Sequence, residues 1–95
     1  LIAPIVGHAG DGNFHTLLLL DESDPREIEA AEAFVERLNT RALALGGTCT
    51  GEHGIGQGKM AFLELELGGA VDVMRSIKTA LDPDNIMNPG KVIRV

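Results

Sequence analysis

Several residue types are scarce or missing in this chain of 95 residues, and each absence narrows what the protein can be. The chain has no tryptophan, no tyrosine and three phenylalanines, so a core must be built from aliphatic side chains and methionine. Its single cysteine excludes an internal disulfide and fits a reducing compartment. The longest purely aliphatic run, residues 17–20, is far too short to span a bilayer.

Positive charge is also scarce, with 8 Lys and Arg residues against 14 Asp and Glu residues and a net charge of −6. Nucleic-acid binding requires a basic surface, so we expect no nucleic-acid partner. An apolar content of 44% permits a hydrophobic core, but a chain of this length is one domain or a part of one. The chain begins at Leu1 within what reads as a strand, so we expect a fragment of a longer polypeptide.

The most informative segment that is present is residues 7–15 (GHAGDGNFH), where two histidines flank a glycine-rich turn. Asp-Gly is a preferred centre for a two-residue hairpin turn, because both central positions need positive φ. With Asp11 and Gly12 at that centre, His8 would lie directly opposite His15. Opposite side chains share one face of a sheet, so the two imidazoles could bind one metal ion.

A second glycine-rich segment, residues 48–59 (TCTGEHGIGQGK), supplies an adjacent acid and histidine. His8, His15 and Glu52 would form a catalytic type of metal site, with two imidazoles, one carboxylate and an open position. His53 would then be available as a catalytic acid or base, since histidine titrates near neutral pH. The alternative is a surface pair of histidines and a solvated loop. A nucleophilic Cys49 is a weaker hypothesis, because reactivity needs a lowered thiol pKa.

Hydrophobic periodicity predicts an α+β fold with an antiparallel sheet and helices on one face. Residues 2–8 and 14–20 are predicted strands, and the leucine run suggests that the second is buried on both faces. Helices are predicted for residues 25–45 and 70–81. Residues 60–67 alternate as a strand would at Leu63, Leu65 and Leu67, but their helix-forming residue types favour a short helix. A short strand is considered at residues 48–50. The first helix begins at an Asp24 cap followed by Pro25 and ends at Gly46. A tail follows the third predicted helix, and its apolar pairs at residues 86–87 and 92–93 are expected to anchor it.

The glycines of these two segments do not match the pattern of a nucleotide-binding loop. A Walker A loop requires Ser or Thr after Gly-Lys, whereas Met60 follows Lys59. The dinucleotide fingerprint requires a third glycine where Lys59 or His15 stands, and neither segment opens a long helix after a strand.

Taken in order, residues 7–15, residues 51–56 (GEHGIG), Asp82-Pro83 and residues 88–92 (NPGKV) resemble the C-terminal part of FAD-linked oxidases and dehydrogenases of D-2-hydroxy acids. The resemblance covers nearly the whole chain. Residues 42–53 are most similar to the cytochrome-linked D-lactate dehydrogenase branch, and the glycolate oxidase flavin subunit is also similar. The implied fold is a fragment of a ferredoxin-like cap domain, with residues 1–84 in the substrate (cap) domain and residues 85–95 as a tail returning to the FAD-binding domain.

The resemblance also implies roles for single residues. The hairpin histidines and Glu52 correspond to ligands of a divalent metal, zinc or manganese, and His53 to the base near the flavin. Asn88, and with less support Asn13, correspond to contacts on the flavin or substrate side. FAD itself would be bound mainly by an upstream domain, so the fragment alone is expected to be inactive.

The substrate implied is a small 2-hydroxy acid, oxidised by hydride transfer to FAD while the metal polarises its hydroxyl. Leu17 stands where hydroxyglutarate-type relatives carry a polar residue, which favours a monocarboxylate such as D-lactate or glycolate. The expected electron acceptor is a cytochrome or quinone, and a homo-oligomer is considered. The expected location is cytoplasmic and peripheral to the inner membrane, or mitochondrial in a eukaryote. A non-enzymatic metal-binding or oligomerisation module is the alternative.

Overall fold

A computed structural model describes all 95 residues and confirms the α+β class. An antiparallel pair of strands precedes three helices, and the elements are β1 (Ile5–His8), β2 (Asn13–Thr16), α1 (Pro25–Ala44), α2 (Met60–Leu67) and α3 (Ala70–Leu81). The chain forms two compact units, Leu1–Gly47 and Thr48–Val95. None of the helices combines the length and the apolar character that crossing a membrane would require.

The connection between β1 and β2 differs from the predicted two-residue turn. Ala9–Asp11 forms a turn of 3-10 helix, and Gly12 follows with a left-handed φ of 70°. The N–H of Gly12 donates to the Ala9 carbonyl oxygen at 3.1 Å. The prediction of an Asp11-Gly12 turn was wrong because a four-residue connection needs positive φ at one glycine only, which spares Asp11 from a conformation that costs it energy.

Pairing of the two strands continues beyond the regular ladder. The N–H of Leu17 donates to the Pro4 carbonyl and that of Leu19 to the Ile2 carbonyl, both at 2.9 Å. The predicted burial of the leucine run on both faces was wrong, because Leu17 and Leu19 are 50% and 57% exposed. They lie on one face of a two-stranded ribbon, and that face is the same one that carries the hairpin histidines.

Helix α1 begins at Pro25, as predicted, and ends at Ala44, one residue before the predicted end. The Asp24 side chain accepts the N–H of Arg26 at 3.0 Å, and Pro25 occupies the first helical turn, where its missing N–H costs nothing. At the other end Gly46 has a φ of 83°, and the N–H of Gly47 donates to the Ala42 carbonyl oxygen at 2.8 Å. The N–H of Gly46 also donates to the Leu43 carbonyl oxygen at 3.1 Å, and the two bonds form a Schellman motif, which satisfies carbonyls that the last turn leaves without partners.

The second unit contains α2 and α3, both with the predicted bounds. The two helices pack against each other. The buried apolar residues of this unit are Cys49, Met60, Leu63 and Val71. Residues 48–50 form no strand. The tail after α3 has no regular secondary structure, and hydrogen bonds to side chains and to backbone groups hold it.

Candidate functional site

In the first unit the hairpin carries His8 and His15, which share one face of the ribbon without lying opposite each other. His8 pairs with Asn13, and His15 pairs with Val6. The predicted direct pairing was wrong, because the longer connection shifts the register by two residues. A two-residue shift preserves the face, since side chains alternate with a period of two. Diagonal neighbours have Cβ atoms roughly 7–8 Å apart, within reach of long side chains.

Gly7 makes this close pairing of strands possible. It pairs with Phe14 across the ladder. A Cβ atom at residue 7 would lie 2.5 Å from the Phe14 Cα and closer still to the Asn13 carbonyl oxygen. Any larger residue would therefore push apart the strands that carry the two histidines. The role of Gly7 was not evident from the sequence, because it depends on how closely the two strands approach.

Asn13 is half-buried and stands directly across from His8. It therefore lies on the histidine face of the ribbon, together with His15, which is also half-buried, whereas His8 is exposed. A carboxamide both donates and accepts hydrogen bonds. The position suits a contact with a polar ligand beside the two imidazoles, and the role predicted for Asn13 stays a prediction.

In the second unit the glycine-rich loop exposes Glu52 and His53. A hydrogen bond from the Gly54 N–H to the Thr50 hydroxyl oxygen, at 2.8 Å, closes the loop around them. Gly54 has a φ of 86°, a conformation that glycine adopts without steric cost. The backbone thus turns back immediately after His53. The sequence did not reveal the supporting role of Thr50, because it depends on the path of the loop between Thr50 and Gly54.

The base of the same loop is fixed by Glu66 on α2. Its carboxylate accepts the Thr48 hydroxyl at 2.8 Å and the Cys49 N–H at 3.2 Å. Burial raises the pKa of the Cys49 thiol, and the nearby Glu66 charge raises it further. A reactive cysteine needs the opposite shift, so the structure disfavours Cys49 as a nucleophile and gives it a packing role.

The tail that carries Asn88 is held by Asp82, the residue that ends α3. The Asp82 carboxylate accepts the Lys78 ammonium and the backbone N–H groups of Met87 and Ile86, and these bonds, in that order, lower its pKa to about 2. The predicted anchoring by Ile86 and Met87 was wrong, because their side chains are 78% and 64% exposed. The sequence shows the Lys-Asp spacing of four residues, but not that backbone N–H groups of the tail return to the same carboxylate.

Asn88 itself is exposed and adopts a φ of 44° at the start of a turn. The Lys91 N–H closes this turn on the Asn88 carbonyl oxygen at 3.3 Å. One residue later, the Val92 N–H donates to the Gly56 carbonyl oxygen at 2.7 Å. The tail is thereby joined to the glycine-rich loop within the second unit.

The donor set has a definite chemical character. Two imidazoles on one face of a ribbon and a carboxylate on an exposed loop are the ligand types of zinc, and manganese accepts them too. The composition of the set therefore fits a divalent metal. The ligand roles of His8, His15 and Glu52, the base role of His53 and the flavin-side roles of Asn13 and Asn88 stay predictions.

Comparison with known proteins identifies the family. Residues 1–92 match the family described as FAD linked oxidases, C-terminal domain. The chain is 55% identical over its whole length to a probable mitochondrial D-lactate dehydrogenase of Danio rerio. It is 54% identical over 99% of its length to the mitochondrial D-lactate dehydrogenase [cytochrome] 1 of Saccharomyces cerevisiae. It is also 45% identical over 90% of its length to the glycolate oxidase subunit GlcD of Bacillus subtilis.

The chain spans only a small part of these relatives, namely 19%, 16% and 18% of their respective lengths. The match nevertheless extends from the hairpin through the glycine-rich loop and the three helices to the tail. The chain therefore belongs to the family of FAD-linked oxidases, as a C-terminal domain.

Proposed function

We propose that this chain is the C-terminal part of a flavoenzyme that oxidises a small D-2-hydroxy acid, most directly D-lactate, to the 2-oxo acid. The observation that carries the proposal is the identity of 55% and 54%, over essentially the whole chain, to relatives named D-lactate dehydrogenases. In this proposal residues 1–84 belong to the substrate (cap) domain. Residues 85–95 return towards a flavin domain elsewhere in the polypeptide.

The residues of this chain would divide the work as follows. When bound, FAD supplies the hydride acceptor and a divalent metal supplies a Lewis acid. His8, His15 and Glu52 would hold the metal. A ring nitrogen of His53 takes the proton of the substrate hydroxyl while the Cα–H bond breaks and the carbonyl forms. Asn88 contacts the flavin side of the reaction, and Asn13 faces the flavin or the substrate.

The choice of substrate can be tested by comparing acids that differ by one methyl group. A turnover assay of the full-length protein with D-lactate and with glycolate gives the ratio of kcat/KM. One methyl or methylene group in an apolar pocket is worth roughly 10–200-fold. We expect a preference of about that size for D-lactate, and Leu17, an apolar residue, agrees with an acid that carries no second carboxylate. Equal or better use of glycolate would favour the second candidate, a glycolate oxidase subunit, which the 45% identity to such a protein supports.

The acceptor and location follow from the same relatives. The Saccharomyces cerevisiae relative is named as cytochrome-linked and mitochondrial, and the Danio rerio relative as mitochondrial. We therefore propose a cytochrome or quinone acceptor and a mitochondrial location if the source is eukaryotic. Contact with an inner membrane and self-association are further parts of this proposal. If the full-length protein bound no flavin and showed no D-lactate-dependent reductase activity, the alternative function, a metal-binding or oligomerisation module, would be favoured.

The metal site has its own test, in which the third histidine of the chain is the control. Metal content of the full-length protein is measured for wild type, for His8→Ala combined with His15→Ala, and for His53→Ala. We expect one divalent ion per chain in wild type and in His53→Ala, and its loss from the double variant. Stoichiometric metal in the double variant would exclude this ligand set.

A further inference from the structure

The segment after α3 is fixed by a pair of charged residues that hydrogen-bond to one residue, Met87, through both its backbone N–H and its carbonyl oxygen. Asp82 accepts the N–H groups of Ile86 at 3.0 Å and Met87 at 2.9 Å. Lys78 donates to the Asp82 carboxylate and also to the Met87 carbonyl oxygen, the latter at 2.6 Å. We call Lys78 and Asp82 the tail clamp. The clamp fixes both the N–H and the C=O of Met87, the residue before Asn88.

Exposure shows that the clamp, and not apolar burial, decides the path of the chain here. The Asp82 side chain is 6% exposed and that of Lys78 is 20% exposed. By contrast, Ile86 and Met87 direct large apolar side chains into solvent. Taking a carboxylate and an ammonium out of water is costly, and hydrogen bonds offset that cost. Here the Asp82 carboxylate accepts three hydrogen bonds and the Lys78 ammonium donates two. The arrangement therefore specifies a conformation more than it builds a core.

A second connection extends from the tail to the glycine-rich loop. Val92 donates its N–H to the Gly56 carbonyl oxygen at 2.7 Å while adopting a φ of 64°. Positive φ in a β-branched residue is a genuine outlier, and such strain persists only where the surroundings impose it. Gly56 lies three residues after His53, in the same loop. The tail thus restrains the loop that carries the proposed base.

We propose that Asp82, acting with Lys78, is a positioning residue for the reaction proposed above, on which this inference rests. The tail clamp sets the backbone that leads into Asn88. Through the bond between Val92 and Gly56 it also holds the loop that presents His53. Asp82 touches neither substrate nor cofactor in this account, and it acts only through the residues it positions.

The test compares two aspartates that are two positions apart in the full-length, flavin-loaded protein. Asp82→Asn removes the charge and presents an amide NH2 group to the donors of the clamp, whereas Asp84→Asn makes the same chemical change at an exposed residue. Hydrogen exchange measured by mass spectrometry should rise in residues 85–93 and 51–58 for Asp82→Asn only. We expect kcat to fall by about 10²-fold, the effect of a small misplacement of reacting groups, with flavin content and KM little changed.

A second pair of variants protects the test against poor folding of Asp82→Asn. Lys78→Met removes the ammonium and should reproduce the effects, while Lys78→Arg should restore part of kcat because it keeps the charge. A lower melting temperature with unchanged kcat per flavin-loaded molecule would overturn the inference in favour of a merely structural role. If wild type itself neither binds flavin nor oxidises D-lactate, the proposed function fails. Hydrogen exchange alone then tests whether the tail clamp restrains the glycine-rich loop. If residues 51–58 stay protected in Asp82→Asn, the clamp does not restrain that loop and the inference is overturned.

Discussion

Replacing Gly7 with alanine is the sharpest test of the hairpin that carries the histidines. The new Cβ would lie 2.5 Å from the Phe14 Cα and closer still to the Asn13 carbonyl oxygen. Both atoms belong to the backbone of the paired strand, so no rotation of a side chain relieves the clash. Overpacking a well-packed site costs typically ~1–3 kcal/mol, and because strands must separate here we expect the free energy of unfolding to fall by about 3 kcal/mol.

The assay is denaturation of the full-length protein, followed together with its metal content. Gly10→Ala is the matched control, because a Cβ there meets nothing within 4 Å and the residue is not in the left-handed conformation. Gly7→Ala should unfold earlier and lose metal, since His8 is the next residue and moves with the strand. Gly10→Ala should behave as wild type. If both variants unfolded at the same denaturant concentration and kept their metal, the described strand pairing would be refuted.

Three further outcomes follow from the loop and the tail. His53→Ala should lower kcat by ~10²–10⁴-fold, with flavin content and melting temperature near those of wild type. Glu52→Ala should lose metal and activity together. Near-normal turnover of His53→Ala across neutral pH would show the base assignment to be wrong. Thr50→Val should lower kcat and increase hydrogen exchange in the loop, and Thr50→Ser, which keeps the hydroxyl, should do neither. Because the pKa of Asp82 is lowered to about 2 in the folded state, its contribution to stability is complete above the ordinary carboxyl pKa and is lost as pH falls towards 2. The fall in urea midpoint between about pH 5 and about pH 3 should therefore be smaller in Asp82→Asn than in Asp84→Asn, and equal falls would contradict it.

Helices could be predicted from sequence here because their ends are encoded locally. The Asp24-Pro25 start and the Gly46-Gly47 end of α1 need only neighbouring residues to form, and the structure confirms both. The hairpin register could not be predicted in the same way. Glycines at positions 10 and 12 permit either a two-residue or a four-residue connection, and the choice shifts every cross-strand pair by two residues.

The sequence revealed the residues of the candidate site that carry chemistry, but not the residues that hold them in place. The types that carry chemistry, such as His8 and Glu52, were evident because nothing in a core or a turn requires them. The residues that hold the site were missed, because their roles depend on contacts that sequence spacing does not reveal. Gly7 matters only once two strands approach, and Asp82 only once the tail turns back over the end of α3.

If this chain is the C-terminal part of a flavoenzyme for D-2-hydroxy acids, D-lactate should reduce the flavin of the full-length protein. The full-length protein is mixed with D-lactate in the absence of oxygen, and the absorbance of the oxidised flavin is followed. We expect the flavin to be bleached by D-lactate and much more slowly by L-lactate. A protein purified without flavin, or a flavin that stays oxidised with both D-lactate and glycolate, would contradict it.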